Sequence, residues 1–306
     1  VETLVVAAIL AIGIRSFFLQ PFKIPTNSMW PTYHGMVYTI TSGEAVSPVS
    51  KAFKLIFQGL SSYSLQAPTF GDVKIEVFDA HERELRREVF KYSIVTKPVL
   101  GVLPMQQREY VFYVGEHAMP LYVPVEFSLD KLLMEKFFAN GRQPQVGHDG
   151  RVALTQAQPG RAFLSFELES GDMLFVDRMS YNFVPPKVGD PIVFRTRGIP
   201  GLTALYNGIP DDKYYIKRLV GLPGDTLKIE EPVLMRNGQP ISGSPIFAQD
   251  MQRQAPYPGY QARYDFESGA TVKVPAGMFY AFGDNSPESL DSRAWGGLPQ
   301  DQLVGR

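Results

Sequence analysis

The sequence predicts a mainly β protein. Eight segments alternate apolar and polar residues with the period of two that is typical of strands. Proline (25 residues) and glycine (27 residues) are frequent and dispersed along the 306-residue chain, as expected of short strands joined by turns. The predicted strands are residues 72–78, 109–115, 163–169, 172–179, 190–196, 213–221, 225–230 and 277–284.

The chain begins with its most apolar segment. Residues 1–14, VETLVVAAILAIGI, carry Glu2 as their single charge. Fourteen residues are fewer than the roughly 20 that a membrane-spanning helix needs. Because the chain starts at a valine, we predict that residues 1–20 are the C-terminal part of a transmembrane helix that begins upstream. A buried core helix is the alternative, and Pro21 ends the helical pattern in either case.

Two helices and one hairpin are expected among the strands. The helical patterns are HERELRREVFKY (81–92) and SLDKLLMEKFFANG (128–141). The hairpin is expected at LMRNGQPI, because Asn-Gly between two short apolar segments is typical of a tight hairpin turn.

Charge and cysteine content exclude several classes of function. The chain has 30 basic and 31 acidic residues, so it has no net charge that would attract nucleic acid. It has no cysteine, which excludes disulfides, thiolate zinc sites and a cysteine nucleophile. The four histidines are scattered without the spacing of metal ligands.

A serine stands between two prolines in PTNSMWPT (25–32). Ser28 belongs either to a loop that leaves the apolar segment or to a site where a constrained hydroxyl attacks a carbonyl. A serine hydroxyl needs a neighbouring base to become a good nucleophile. No histidine lies in an informative context, but a lysine can act as the base if burial keeps its amine neutral.

Lys217, in YYIKRLVGLPGD, is the candidate base. Strand periodicity puts it on the same face as Tyr215 and Leu219, which would shield the amine from water. A solvated lysine on a strand remains the alternative at this point. A third segment, FGDNSPESLDSRAWGGLP, contains Asp291 and Arg293, which can form a charge-assisted pair that braces a site or can belong to an ordinary polar turn.

Four segments, taken in order, resemble the type I signal peptidases (leader peptidases). This family uses a Ser/Lys dyad on an antiparallel β-sheet core. The segments are RSFFLQPFKIPTNSMWPT, GDMLFVDRMSYNF, YYIKRLVGLPGD and GDNSPESLDSRAWGGLPQDQLVGR.

The resemblance implies a role for each matching residue. Ser28 corresponds to the nucleophile and Lys217 to the general base. Thr26 corresponds to a hydroxyl of the oxyanion hole, together with the backbone N–H of Ser28. Ser289 corresponds to the hydroxyl that orients the lysine amine.

Further residues are implied to support the site. Asp291 and Arg293 correspond to a structural salt bridge, and Tyr215 to a wall of the lysine pocket. The family prefers small substrate residues one and three positions before the cut. This preference implies shallow apolar pockets, which we expect Phe22 and Ile24 to line.

The implied function is a membrane-bound serine endopeptidase that removes signal peptides from exported preproteins. No metal or organic cofactor is needed. The implied partners are preproteins and the lipid bilayer, without nucleic acid, and the protein is expected to be a monomer. The resemblance implies the bacterial cytoplasmic membrane, with the catalytic domain on its outer side. Four aromatic residues suit the membrane interface, although core packing explains them equally well: Phe17, Phe18, Phe22 and Trp30.

One departure from the family is large. The segments that carry the nucleophile and the next strand normally follow each other closely, but here about 135 residues separate them. We therefore predict an inserted α+β domain over 36–170, and a catalytic domain over 21–35 and 171–306 with an accessory hairpin region at 226–275. An envelope-anchored binding module with a degenerate peptidase core is the alternative. A self-cleaving Ser/Lys repressor is disfavoured by the membrane segment and by the lack of a DNA-binding helix pair.

Overall fold

The structure is a computed structural model, and it describes most of the chain. The residues described are Val6, 19–43, 50, 54–55, 58–86, 88–99, 103–139, 143–206, 208 and 212–306. The predicted transmembrane segment lies outside them, except for its residues 6, 19 and 20. Within the described ranges, no helix has both the length and the apolar character needed to cross a bilayer.

The described part of the chain is mainly β, and all pairings between its named strands are antiparallel. The strands are β1 Leu19–Lys23, β2 Val37–Ile40, β3 Leu60–Gln66, β4 Gly71–Glu76, β5 Ser93–Val99, β6 Leu103–Val114, β7 His117–Pro124, β8 Arg151–Ala157, β9 Ala162–Glu169, β10 Met173–Asp177, β11 Pro191–Arg195, β12 Tyr214–Gly221, β13 Thr226–Glu230, β14 Val233–Arg236, β15 Gln239–Pro240, β16 Thr271–Lys273, β17 Met278–Phe282, β18 Leu298–Pro299 and β19 Leu303–Gly305. The helices are α1 Ala80–Arg86, α2 Asp130–Phe137, α3 Pro200–Leu205, α4 Pro245–Met251 and α5 Ser292–Trp295.

Each of the eight predicted strands overlaps an observed strand. The predicted hairpin is also confirmed: Asn237 and Gly238 connect β14 to β15 with φ angles of 54° and 77°. A two-residue turn with positive φ at both positions matches the twist of the strands that it joins, which explains the Asn-Gly sequence.

The two predicted helices form, but both are shorter than the sequence pattern suggested. The first was expected over 81–92 and ends at Arg86. Beyond it, Phe90 bridges to Val77 and is fully buried in an apolar core. Burial of this aromatic ring therefore outweighs continuation of the helix. The second helix was expected over 128–141 and ends at Phe137.

The chain divides into two compact units. The first contains residues 1–35 and 171–306, and the second contains residues 36–170.

The described residues of the first unit form three antiparallel sheets. Its central sheet has the strand order β18-β17-β12-β11-β19, while β1 pairs with β10 and the third sheet has the order β15-β14-β13-β16. Most of β12 is buried, which is unusual for a strand that carries both a lysine and an arginine.

The described residues of the second unit form two sheets and an apolar core. The sheets have the orders β2-β9-β3 and β5-β6-β4-β8, and β7 also pairs with β6. Rings and branched side chains fill the core, including Phe90, Tyr110, Phe112 and Phe166. Helix α2 adds Leu132 and Leu133 to the same cluster.

The chain leaves the first unit after Gly35 and re-enters it at Gly171, and these two points lie close together in that unit. The backbone N–H of Asp172 donates to the carbonyl of His34 at 2.8 Å, and the N–H of His34 donates to the Asp172 carboxylate at 2.8 Å. A Cβ on Gly171 would lie 2.0 Å from the Ile24 carbonyl oxygen and 3.0 Å from the Gly35 carbonyl carbon, so only glycine fits there. A short connection could therefore join the two points.

Candidate active site

Ser28 lies in a single turn of 3-10 helix, Asn27–Met29, and is 7% exposed. Hydrogen bonds from a distant loop hold this turn at two points. The Asn285 side chain donates to the carbonyl of Asn27 at 3.0 Å, and the Asn285 N–H donates to the carbonyl of Ser28 at 3.1 Å. The turn is also closed by Gly35, whose N–H donates to the Asn27 side chain at 2.8 Å. Ser28 therefore has a constrained backbone.

Lys217 lies on β12 and reaches the serine directly. Its Nζ atom is 2.6 Å from the Ser28 Oγ atom and 3.0 Å from the carbonyl oxygen of Ile216. Lys217 is 4% exposed, and its amine lies 5.4 Å from the centre of the Tyr215 ring. The structure thus excludes the alternative of a solvated strand lysine, because burial removes the amine from water.

Burial changes the proton affinity of this amine. It lowers the pKa of Lys217 from 10.5 to about 8, because the charged form loses its hydration. Asp291 and Asp284 oppose this shift, whereas Arg293 adds to it. No carboxylate in the described ranges lies within ion-pair distance of the amine. A neutral amine in this position can accept the proton of the serine hydroxyl.

Thr26 lies beside the serine on its exposed side. Its Oγ1 atom is 3.4 Å from the Ser28 Oγ atom, and the residue is exposed. The Thr26 hydroxyl is therefore close enough to contact a group bound at the Ser28 hydroxyl.

Ser289 is buried close to the pair but does not bond to the amine. Its Oγ atom has no hydrogen-bond partner among the described residues, so the bond to Lys217 that the resemblance implies is not formed here. Gly283 separates this hydroxyl from the serine turn. A Cβ on Gly283 would lie 2.2 Å from the Ser289 Oγ atom and 2.3 Å from the Ser28 carbonyl oxygen. Any larger residue would displace one of them.

Asp291 and Arg293 form a fully buried bidentate pair. The Nε and Nη2 atoms of Arg293 lie 2.9 and 2.8 Å from the two carboxylate oxygens. The carboxylate also accepts the Gly283 N–H at 3.0 Å, and the guanidinium donates to the Ser286 carbonyl at 2.8 Å. The pair thus ties together the loop that contacts Ser28.

A second buried pair was missed from the sequence. Arg218 donates to Asp284 through two bonds of 2.7 and 2.6 Å, and Thr32 donates to the same carboxylate at 2.6 Å. Because Thr32 follows Ser28 closely in the chain, this pair links β12 and the end of β17 to the serine segment. The available signals in the sequence were an arginine directly after Lys217 on an apolar strand and an aspartate two residues after β17.

The predicted pocket residues lie on the segment that leads to Ser28. Phe22 is half-buried and packs against Tyr214, with ring centres 5.0 Å apart. Ile24 is buried, and its N–H donates to the carbonyl of Asp172 at 2.9 Å. Trp30 is half-buried, whereas Phe17 and Phe18 lie outside the described residues.

Comparisons with known proteins identify relatives of the first unit. The family described as "Signal peptidase, peptidase S26" matches residues 164–306, which contain Lys217, Ser289, Asp291 and Arg293 but not Ser28. A probable signal peptidase I-1 from Synechocystis sp. is 36% identical over 138 residues, which are 45% of this chain and 61% of that protein. A signal peptidase I from Leptolyngbya laminosa is 37% identical over 140 residues, 45% of this chain and 59% of that protein.

A third relative is covered more completely. A signal peptidase I from Bacillus caldolyticus is 30% identical over 142 residues, which are 45% of this chain and 69% of that protein. The chain spans about three fifths of the length of the Synechocystis and Leptolyngbya proteins and more than two thirds of the Bacillus protein. The chain therefore belongs to the signal peptidase I family, peptidase S26.

Proposed function

We propose that this protein is a serine endopeptidase that cleaves signal peptides from exported preproteins, with Ser28 as nucleophile and Lys217 as general base. One observation carries the proposal: a buried amine with a lowered pKa lies 2.6 Å from a buried serine hydroxyl. Membership of the signal peptidase I family supports signal-peptide-bearing preproteins as the substrate class.

The reaction follows from the position of the amine. Neutral Lys217 takes the proton from the Ser28 hydroxyl while Oγ forms a bond to the scissile carbonyl carbon. The negative charge that develops on the carbonyl oxygen is stabilised by the Ser28 N–H and the Thr26 hydroxyl. Protonated Lys217 then gives its proton to the leaving amine as the C–N bond breaks, which leaves an ester on Ser28. Water attacks this ester with Lys217 again as base, and the serine regains its proton.

The surrounding groups act by positioning. The Asp291–Arg293 pair and the Arg218–Asp284 pair hold the segments that carry Ser28 and Lys217. Tyr215 shields the amine on one side, and Ser289, whose buried hydroxyl has no partner among the described residues, is proposed to orient the amine.

The substrate is proposed to arrive at a membrane surface. Strand β1 follows the apolar segment 1–14 after only a few residues, so a helix in the bilayer would hold Ser28 near the surface where signal peptides emerge. Phe22 and Ile24 would line pockets for small substrate side chains. We propose a monomer in the bacterial cytoplasmic membrane whose catalytic unit is on the outer side, with 36–170 as an inserted domain.

Cleavage of a preprotein with an Ala-x-Ala site, in detergent, tests the proposal. The full chain should release the signal peptide, while Ser28→Ala should not. Ser42→Ala, which changes an exposed serine, is the matched control and should cleave normally. Cleavage by Ser28→Ala would exclude Ser28 as nucleophile. A wild-type protein that binds the preprotein without cutting it would favour the binding-module alternative.

A further inference from the structure

Asp250 is a buried acid that the proposed reaction does not use. It lies on α4 and is 0% exposed. One carboxylate oxygen accepts the N–H of Gly259 at 3.0 Å, but the other has no hydrogen-bond partner in the described part of the chain. No basic side chain in those ranges forms an ion pair with it. A carboxylate buried without a cation is costly, whereas a neutral carboxyl group is tolerated.

The groups that face Asp250 make its ionisation harder. Burial, helped by the nearby charge of Asp284, raises the pKa of Asp250 from 3.8 to about 7, although the Gly259 N–H and Arg218 act to lower it. Tyr260 also interacts with Asp250; it is 1% exposed, and its hydroxyl finds no partner among the described residues. The Tyr260 ring packs on Phe282 at a centre distance of 6.0 Å. Tyr260 and Phe282 belong to the same apolar core.

Hydrogen bonds and short backbone segments together connect Asp250 to the serine. Gln261 follows Gly259 two positions later in the chain, and its N–H donates to the Ser286 hydroxyl at 2.9 Å. The carbonyl of Gln261 accepts from Arg293 at 3.1 Å. Asn285, adjacent to Ser286, donates to the Ser28 carbonyl at 3.1 Å. Residues 259–261 therefore bind the loop that holds the serine turn.

We propose that Asp250 is a positioning residue that makes the attachment of residues 259–261 to the loop 283–291 depend on pH. The neutral form of Asp250 keeps these residues docked on the loop, and ionisation of Asp250 loosens them. When α4 and residues 259–261 open, the carboxyl group meets water and its pKa returns towards 3.8. The closed state, in which α4 and residues 259–261 are docked, binds the proton more tightly than the open state. Its stability relative to the open state is therefore greatest at low pH. It falls as pH rises from about 4 to about 7.

Hydrogen exchange of the full chain tests the proposal, with rates corrected for the intrinsic effect of pH. With pKa values of about 7 in the closed state and 3.8 in the open state, the open population should rise about tenfold between about pH 6 and about pH 8.5. Peptides covering 245–263 and 283–293 should lose that much protection in the wild type. Asp250→Asn, which is neutral at both pH values, should show no such loss.

Two features of this experiment keep the outcome clear. Asp301→Asn, which neutralises an exposed aspartate, should behave like the wild type. Lys217 also titrates in this range, but it is present in Asp250→Asn, so an effect of Lys217 would persist there. A tenfold loss of protection in Asp250→Asn would overturn the proposal. So would pH-independent protection in the wild type, a result that stands even if the variant fails to fold. The measurement needs no cleavage and is independent of the proposed peptidase activity.

Discussion

Replacing Lys217 by arginine tests the proposed base in a way that the structure makes quantitative. Burial lowers the pKa of the amine from 10.5 to about 8. At pH 7 the neutral fraction then rises from about one molecule in three thousand to about one in eleven. This gain of about 300-fold in the neutral, active form of the base corresponds to about 3 kcal/mol. A guanidinium stays charged throughout the accessible pH range, so Lys217→Arg keeps the positive charge but cannot accept a proton.

The assay is the pH dependence of kcat/KM for a short peptide with an Ala-x-Ala site. Wild-type kcat/KM should rise about tenfold per pH unit and level off near pH 8, where half of the amine is neutral. Lys217→Arg should show no cleavage at any pH. Lys187→Arg changes an exposed lysine of the same unit and serves as the control with full activity.

Two results would refute this reasoning. Cleavage by Lys217→Arg would show that another group takes the serine proton. A rise of kcat/KM with its midpoint near pH 10.5 would show that the Lys217 amine is hydrated in solution, contrary to the burial seen in the structure.

Four more predictions concern the surroundings of the site. Thr26→Val should lower kcat with little change in KM, because losing this hydroxyl should cost up to about 2.7–4 kcal/mol of transition-state stabilisation. Thr26→Ser should lower kcat only slightly. Equal losses of kcat in both variants would show that the hydroxyl is not used. Gly283→Ala should reduce both activity and melting temperature, since its Cβ would lie 2.2 Å from one side-chain oxygen and 2.3 Å from a backbone oxygen; a normal melting temperature with normal kcat would contradict this. Arg293→Met should destabilise the protein by about 3–5 kcal/mol in denaturant unfolding, because it leaves a buried carboxylate unpaired; a loss below about 1 kcal/mol would contradict this. Replacing residues 36–170 by a short Gly/Ser bridge should spare peptide cleavage, because the two ends that it joins are hydrogen-bonded neighbours; a folded but inactive product by circular dichroism would show that the insert helps to build the site.

Local features of the fold could be predicted from the sequence. A period of two identifies strands because side chains alternate between the faces of a strand, and all eight predicted strands overlap observed ones. The Asn237-Gly238 turn could also be predicted, since its backbone angles depend on the two residues themselves. The ends of the helices were harder to predict from the sequence. The first predicted helix stops early because Phe90 is needed in a core formed by strands elsewhere in the chain.

The two central residues of the site were named from sequence segments, but their relation was not contained in those segments. Ser28 and Lys217 are 189 positions apart, and only folding brings Oγ and Nζ to 2.6 Å. Strand periodicity put Lys217 on a face with Tyr215 and Leu219, but it could not say whether that face is covered. The solvated alternative stayed open for that reason.

Burial and long-range charge pairing were decided by the tertiary structure alone. The partners of Arg218 and the isolation of Asp250 both depend on segments far away in sequence. An aspartate on a short helix has the same local pattern whether water or an apolar core surrounds it. Its pKa and its effect on neighbouring segments differ between those two cases, because the cost of a charge depends on the solvent or side chains that surround it. A single sequence specifies which residues carry charge, and the packing of distant segments determines which of those charges are buried and paired.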